Sequence, residues 1–102
     1  MMVVVFRSRL RPSVQEEYGP VAARMSELAA TMPGHLAHKT FVAEDGERVT
    51  LVEFESTETM QAWRMHPEHV EAQRKGRRSF YSEFRLVVCE ALRETNFKHD
   101  EP

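Results

Sequence analysis

The sequence predicts a single α+β domain in the ferredoxin-like order strand, helix, strand, strand, helix, strand. Two observations carry that reading. Valine-rich and aromatic runs stand at both ends of the chain, and between them two helical segments flank a pair of strand-like runs that meet at an Asp-Gly turn. At 102 residues the chain has the usual size of one domain and is too short for two independent cores.

Met2 to Leu10 opens with three valines and Phe6. Such residues suit a pleated surface, and the unbroken apolar stretch points to cover on both faces. Ser13 and Glu16 have capping-box spacing, and Tyr18, Val21, Ala22, Met25, Leu28, Ala29 and Met32 then recur on one helical stripe. Pro20 lacks an amide hydrogen and crowds the preceding turn, so a kink or restart is expected at Gly19 and Pro20. Pro33 and Gly34 end the helix.

His35 to Ala43 and Val49 to Glu55 read as strands joined by a hairpin at Glu44, Asp45, Gly46 and Glu47. Ser56, or Thr57 after it, can cap a helix carrying Met60 and Trp63. Pro67 suits the first turn of a further segment through Ala72 to Gly76, so the second helix is expected in two pieces. Tyr81 to Leu92, with Phe84, Leu86, Val87, Val88 and Cys89, is the last strand. After Glu94 the chain turns polar; the domain is expected to span residues 1–94, with residues 95–102 as a flexible tail.

Two helices cover only one face of a four-stranded sheet. Strands one and four are apolar at both parities, so the second face also needs cover, and a second copy of the chain supplies it most simply. A homodimer burying upwards of about 1,000 Å² in total is the expectation.

A net charge of -2 provides no global field for nucleic acid or an anionic membrane. Arg74, Lys75, Arg77 and Arg78 cluster, which reads as a solvated face complementing a helix dipole rather than a phosphate-contacting patch. No apolar run approaches the roughly 20 residues of a membrane span. Met1 to Val5 runs into Arg7, Arg9 and Arg11 instead of a small-residue cleavage site. The lone Cys89 lies in an apolar run and reads as a buried structural thiol, so a cytoplasmic location is expected.

Trp63, His66, Pro67, Glu68, His69, Ala72, Gln73, Gly76, Arg77, Tyr81, Phe84 and Arg85 together resemble the signature stretch of antibiotic biosynthesis monooxygenase domains. There a tryptophan on the second helix precedes a Glu-His pair, an Ala-Gln, a Gly-Arg and a terminal strand with aromatics and arginine. The element order, the Pro-Gly exit from helix one and the acidic-Gly hairpin agree, so the resemblance spans roughly Met2 to Arg93. It implies a dimer whose sheets face each other in an α+β barrel, with a pocket in each subunit between helices and sheet. Members of the family oxidise phenolic polycycles with oxygen and no flavin, metal or haem, while relatives degrade haem or modify small signalling molecules. Where haem-degrading relatives place an axial histidine and a strand-one asparagine, this chain carries Gln73 and Ser8. Where some polyketide oxygenases carry an asparagine one turn before the tryptophan, it carries Thr59. The implied function is cofactor-independent monooxygenation of a small aromatic or quinol-like molecule, with no cofactor. The alternatives are a non-catalytic dimeric module that binds a small hydrophobic ligand, and an isomerase or degradative enzyme for a small metabolite using the same pocket.

Oxygenation without a cofactor needs a substrate that gives up electrons once a base with a pKa near neutral has taken its proton. Histidine fits that task, and His66 and His69 lie where the start of a helix turns both to one side. The resemblance favours His69 as the base; His66 is the second candidate, with capping of the segment opened by Pro67 as its structural alternative. Trp63 would wall the site against a planar ligand. Arg77 and Arg85 would stabilise a phenolate or peroxide anion, and Tyr81 would donate a hydrogen bond. Core packing for Trp63 and helix-end or cross-strand pairing for the arginines are the structural alternatives. His66, Glu68 and His69 lack the His-Glu-x-x-His spacing and no Gly-rich loop follows a strand, so neither a metal nor a nucleotide is expected.

Overall fold

The computed structural model describes residues 1–100. The chain runs β1 (Met2–Leu10), α1 (Gln15–Thr31), β2 (His35–Val42), β3 (Arg48–Phe54), α2 (Thr57–Arg64), α3 (Pro67–Lys75), a π-helical turn (Gly76–Phe80) and β4 (Tyr81–Glu90). The strands form one sheet in the order β2-β3-β1-β4 with every neighbouring pair antiparallel, the ferredoxin-like α+β arrangement that the element order implies.

The start of α1 departs from expectation. Ser13 sits in the left-handed region at φ 66° just before the N-cap residue Val14, and no side chain caps the helix. The Val14 carbonyl instead accepts the amides of Glu17 and Tyr18 at 3.1 and 2.9 Å. Nor does the helix restart at Pro20, which lies inside it. The packed stripe carries the helix across one missing hydrogen bond, because packing rather than propensity holds most helices in proteins. Gly34 then turns the chain into β2 at φ 79°, and a Cβ there would stand 2.6 Å from the Thr59 side chain, so this position needs glycine twice over.

The hairpin forms where Asp45 and Gly46 signal it, with Gly46 at φ 91° and its amide donating to the Ala43 carbonyl at 3.0 Å. At the next junction Ser56 and Thr59 make a reciprocal capping box. Thr59 N–H donates to Ser56 Oγ at 3.2 Å, and Ser56 N–H donates to Thr59 Oγ1 at 3.1 Å. The second helix is broken as its Pro67 predicts, with α3 restarting behind an N-cap at His66.

Leu28 and Ala29 of α1, Val52 and Phe54 of β3, and Met60 and Trp63 of α2 form the core, and Met2 and Val4 of β1 pack against it. Those contacts define the helix-covered face. The antiparallel register places His38, Val52, Val4 and Val88 in one row on that face, and Val42, Arg48, Ser8 and Phe84 in another. Cover is uneven: Phe54 is 0% exposed, while Leu86, on the same face of β4, is 52% exposed. The opposite face carries the rows Lys39, Leu51, Val5, Val87 and Ala37, Glu53, Val3, Cys89. Cys89, on the face away from the helices, is half-buried rather than a fully buried thiol.

After Glu90 the Ala91 amide donates to the Met1 carbonyl at 2.9 Å, and residues 91–100 form no helix or strand. Positions 101 and 102 of the expected tail lie outside the described residues. No helix among the described residues is long and apolar enough to cross a membrane.

Candidate active site

The break between α2 and α3 folds His69 back onto Trp63. Their rings stack with centroids 3.9 Å apart and planes 13° from parallel. His69 Nδ1 lies 3.1 Å from the Trp63 backbone carbonyl and 3.4 Å from Gln73 Nε2. A carbonyl only accepts, so the shorter contact requires a hydrogen on Nδ1. One Gln73 amide hydrogen goes to the Arg64 carbonyl at 3.1 Å, and at 3.4 Å its approach to Nδ1 is the longer and weaker of the two Nδ1 contacts. The neutral ring consequently carries its lone pair on Nε2. Partial burial pushes the His69 pKa down, opposed by its bond to Trp63 and reinforced by the charges of His38 and His66.

Trp63 is 5% exposed and belongs to the core. Its indole is packed from below and covered by the imidazole, so it positions His69 rather than standing open as a wall for a ligand. His66 takes its structural alternative: Nδ1 accepts the Glu68 amide at 3.1 Å as the cap of α3. Glu68 is held by Arg24, whose Nε and Nη2 donate at 2.6 and 3.0 Å, and that guanidinium keeps its carboxyl below the usual range. The described residues contain no group of three or more His, Cys, Asp or Glu side chains suited to hold a metal ion.

A second cluster gathers Tyr81, Tyr18, Phe6, Phe80 and Phe84. Tyr81 lies 5.3 Å from Phe6, 6.0 Å from Tyr18 and 5.9 Å from Phe84 between ring centroids. A Cβ on Gly76 would stand 2.6 Å from the Tyr81 ring, so the π-helical turn needs glycine where the ring lies against the backbone. Burial, and then the neighbouring Tyr18, pushes the Tyr81 phenol well above its ordinary pKa, so Tyr81 remains a neutral donor. The Arg77 guanidinium lies 5.7 Å from the Phe84 centroid. Val70, Gln73 and Arg77 line one open cleft of about 360 Å³ with Arg74 and Arg78; His69 is not among the lining residues, and Gln73 is the lining residue that also touches His69.

Arg85 does not join them. It pairs with Arg7 in the β1–β4 register, on the sheet face away from the helices. Strand parity alone would put Tyr81 and Arg85 together, but the register shift between Arg9 and Leu10 reverses it. His38 and Arg48 are two further residues that no sequence motif singles out. Both face the helices, through pairing with Val52 and Ser8. Burial lowers the His38 pKa, and the charge of His35 adds to the effect. Alternation with Val52 and Phe54 was the available signal for Arg48, but it needed the face of β3 to be known first.

Comparison with known proteins agrees with this architecture. Residues 1–75 match the antibiotic biosynthesis monooxygenase family model. The match ends before the Gly76 to Arg85 part of the resemblance. The uncharacterised protein YqjZ of Bacillus subtilis (strain 168) is 34% identical over 83 residues, covering 81% of this chain and 73% of YqjZ. Rv0793 from Mycobacterium tuberculosis shares the fold with a TM-score of 0.83 at 17% identity, over 93% of this chain and 98% of that one. SnoaB, a cofactor-independent oxygenase from Streptomyces nogalater, shares it with a TM-score of 0.77 at 18% identity, over 92% and 94% of the two chains. On the family match and the YqjZ identity, this chain belongs to the antibiotic biosynthesis monooxygenase family.

Proposed function

We propose that the chain is a cofactor-independent monooxygenase of a small aromatic or quinol-like molecule, with His69 as its base. The observation that carries this reading is the His69 tautomer. A half-buried neutral imidazole, locked against Trp63 with its lone pair on Nε2, is ready to accept a proton near neutral pH. The reaction class is supported by family membership and by SnoaB, which is a cofactor-independent oxygenase.

Proton transfer from a phenolic hydroxyl or an activated CH₂ to Nε2 leaves an electron-rich anion. That anion gives one electron to oxygen, and the resulting radical and superoxide combine to a peroxide. Loss of water converts the CH₂ to C=O, so one oxygen atom enters the product and the other leaves as water. Arg77 at the cleft opposes the developing negative charge, and the Tyr81 phenol donates a hydrogen bond within the aromatic cluster. Trp63 acts through His69, as a positioning residue.

The folded unit in this reading is residues 1–94, and it works as a homodimer. The sheet face away from the helices, bearing Val3, Val5, Leu51 and Val87, is the surface that a second copy covers.

Oxygen uptake measured on a panel of phenols and hydroquinones tests the reading. The expected result is substrate-dependent uptake that falls by about a hundredfold or more in His69→Ala, the usual effect of losing a positioned base. Ligand-induced melting shifts without uptake by the wild-type chain would favour a binding module instead, and full turnover by His69→Ala would remove the histidine from the mechanism.

A further inference from the structure

The row that Arg48 shares with Val42, Ser8 and Phe84 lies at the hairpin end of the helix-covered face. A guanidinium keeps its charge at every accessible pH and presents five donors, so a partly buried one usually has a carboxylate beside it. Among the described residues Arg48 has none within ion-pair distance, and its Nε is buried without an acceptor. Instead the guanidinium lies over the Tyr18 ring, 5.3 Å from the centroid. That contact orients the group without using any of its N–H donors.

Arg48 also lines an open cleft of about 410 Å³, together with Arg9, Arg11 and Asp45. Asp45 is already engaged: Arg9 Nη2 donates to its Oδ2 at 2.8 Å, and Arg9 Nε stands 3.3 Å from Glu83. Arg11 and Arg48 are left as two cations with no carboxylate partner among the described residues. Leu10 and Val42 add apolar wall beside them. The cleft has the size of a small-molecule site rather than of a lone ion.

We propose that this cleft binds the carboxylate of a small organic acid, held by the edge of the Arg48 guanidinium, with Leu10 and Val42 against the acid's apolar body. A carboxylate presents two coplanar oxygens that match the fork of the two terminal Arg48 nitrogens, which are neither buried nor hydrogen-bonded, while the buried Nε stays out of a ligand's reach. Arg11 adds charge at the rim. The cleft does not include His69, though Arg48 packs on Tyr18 of the Tyr81 cluster, and the proposal stands whether or not the chain is an oxygenase.

Benzoate and inorganic phosphate titrated separately into the full chain, followed by amide and arginine side-chain NMR, test it. Benzoate should give saturable shifts centred on Arg48, Gly46 and Ser82. Arg48→Gln should weaken that binding by about tenfold or more, the scale of a lost charged hydrogen bond, while Lys39→Gln on the opposite face leaves it unchanged. Circular dichroism establishes that each variant is folded. If Arg48→Gln does not fold, Arg48→Lys keeps the charge, loses the fork and should still bind benzoate several-fold more weakly. Absence of saturable shifts at this cleft, or benzoate binding by the folded Arg48 variant equal to wild type, would overturn the proposal. Phosphate binding as tightly as benzoate would overturn the organic-acid assignment, since a bare oxyanion would then suffice.

Discussion

Over β3 the helices bury Phe54 completely and hold Trp63 at 5% exposure, whereas on the same face of β4 Leu86 and Val88 stay 52% and 47% exposed. The two halves of one sheet face thus serve different ends. The covered half contains the close-packed core and also fixes His69, because the imidazole stacks on a tryptophan that is itself held from beneath. The other half is apolar floor without a lid, beside the Arg77 cleft and the Tyr81 cluster. Rigidity on one side and open apolar surface on the other is what a site needs when a fixed base must meet a movable ligand.

The largest expected effect breaks this contrast directly. Phe54→Ala should cost about 3–5 kcal/mol in denaturant unfolding, as buried aromatic truncations do. Leu86→Ala should cost under about 1 kcal/mol in the isolated chain, in keeping with an exposed position. Equal losses at the two sites would show that the β4 side of this face is covered in solution.

The two histidines sharpen the same comparison at the level of chemistry. His66→Ala should cost about 1 kcal/mol, the value of an N-cap, and leave turnover near wild type. His69→Ala should do the reverse, leaving the fold intact while lowering oxygen uptake by about a hundredfold. Matching kinetic losses would mean that both act in one unit and that capping is not the whole role of His66.

The pH dependence of stability follows from His38 and His69, both of which burial makes harder to protonate in the folded chain. Acid therefore favours the unfolded state. Their contribution is complete above the ordinary histidine value of about 6.5 and is lost as pH falls below it, levelling off once the depressed folded values are passed. Asp45, Glu47 and Glu68, held down by arginines, lose their contributions only at lower pH, near the ordinary carboxylate range, so the windows separate. Denaturation midpoints between about pH 7.5 and 5.5 should fall in the wild type and fall less in His38→Gln. An unchanged slope in that variant would show that His38 titrates normally.

The smallest effect separates the two arginines. Arg77→Gln should raise KM for an anionic or phenolic substrate, and Arg85→Gln, on the far side of the sheet, should leave it unchanged. A KM effect at Arg85 alone would place the ligand on the other face.

The order of elements was legible because each has a local cause: the α1 stripe, the Asp45-Gly46 turn, the Ser56 cap and the Pro67 restart. What failed locally was also physical. Ser13 has a capping residue's chemistry, but its left-handed backbone moves the side chain out of place. The π-helical turn at Gly76–Phe80 leaves the Tyr81 ring against the Gly76 backbone, a contact that no periodicity announces. For the site, Trp63 and His69 were both legible as candidates, but their stacking depends on how α3 folds back across the break at Met65 and His66. Tyr81 and Arg85 are both candidates by the resemblance, and the register shift beside them puts them on opposite faces. For Arg48 the alternation with Val52 and Phe54 gives its face, but that it lacks a carboxylate is defined by neighbours that only the fold supplies.

The central claim is that His69 is neutral near physiological pH with its hydrogen on Nδ1. Nitrogen-detected NMR of the histidine rings, followed through a pH titration, reads that state atom by atom. The account predicts that His69 shows the Nδ1–H tautomer at about pH 7, with Nε2 as the unprotonated nitrogen, and that it protonates below the ordinary histidine value of about 6.5. An imidazolium at neutral pH, or a ring with its hydrogen on Nε2, would contradict it.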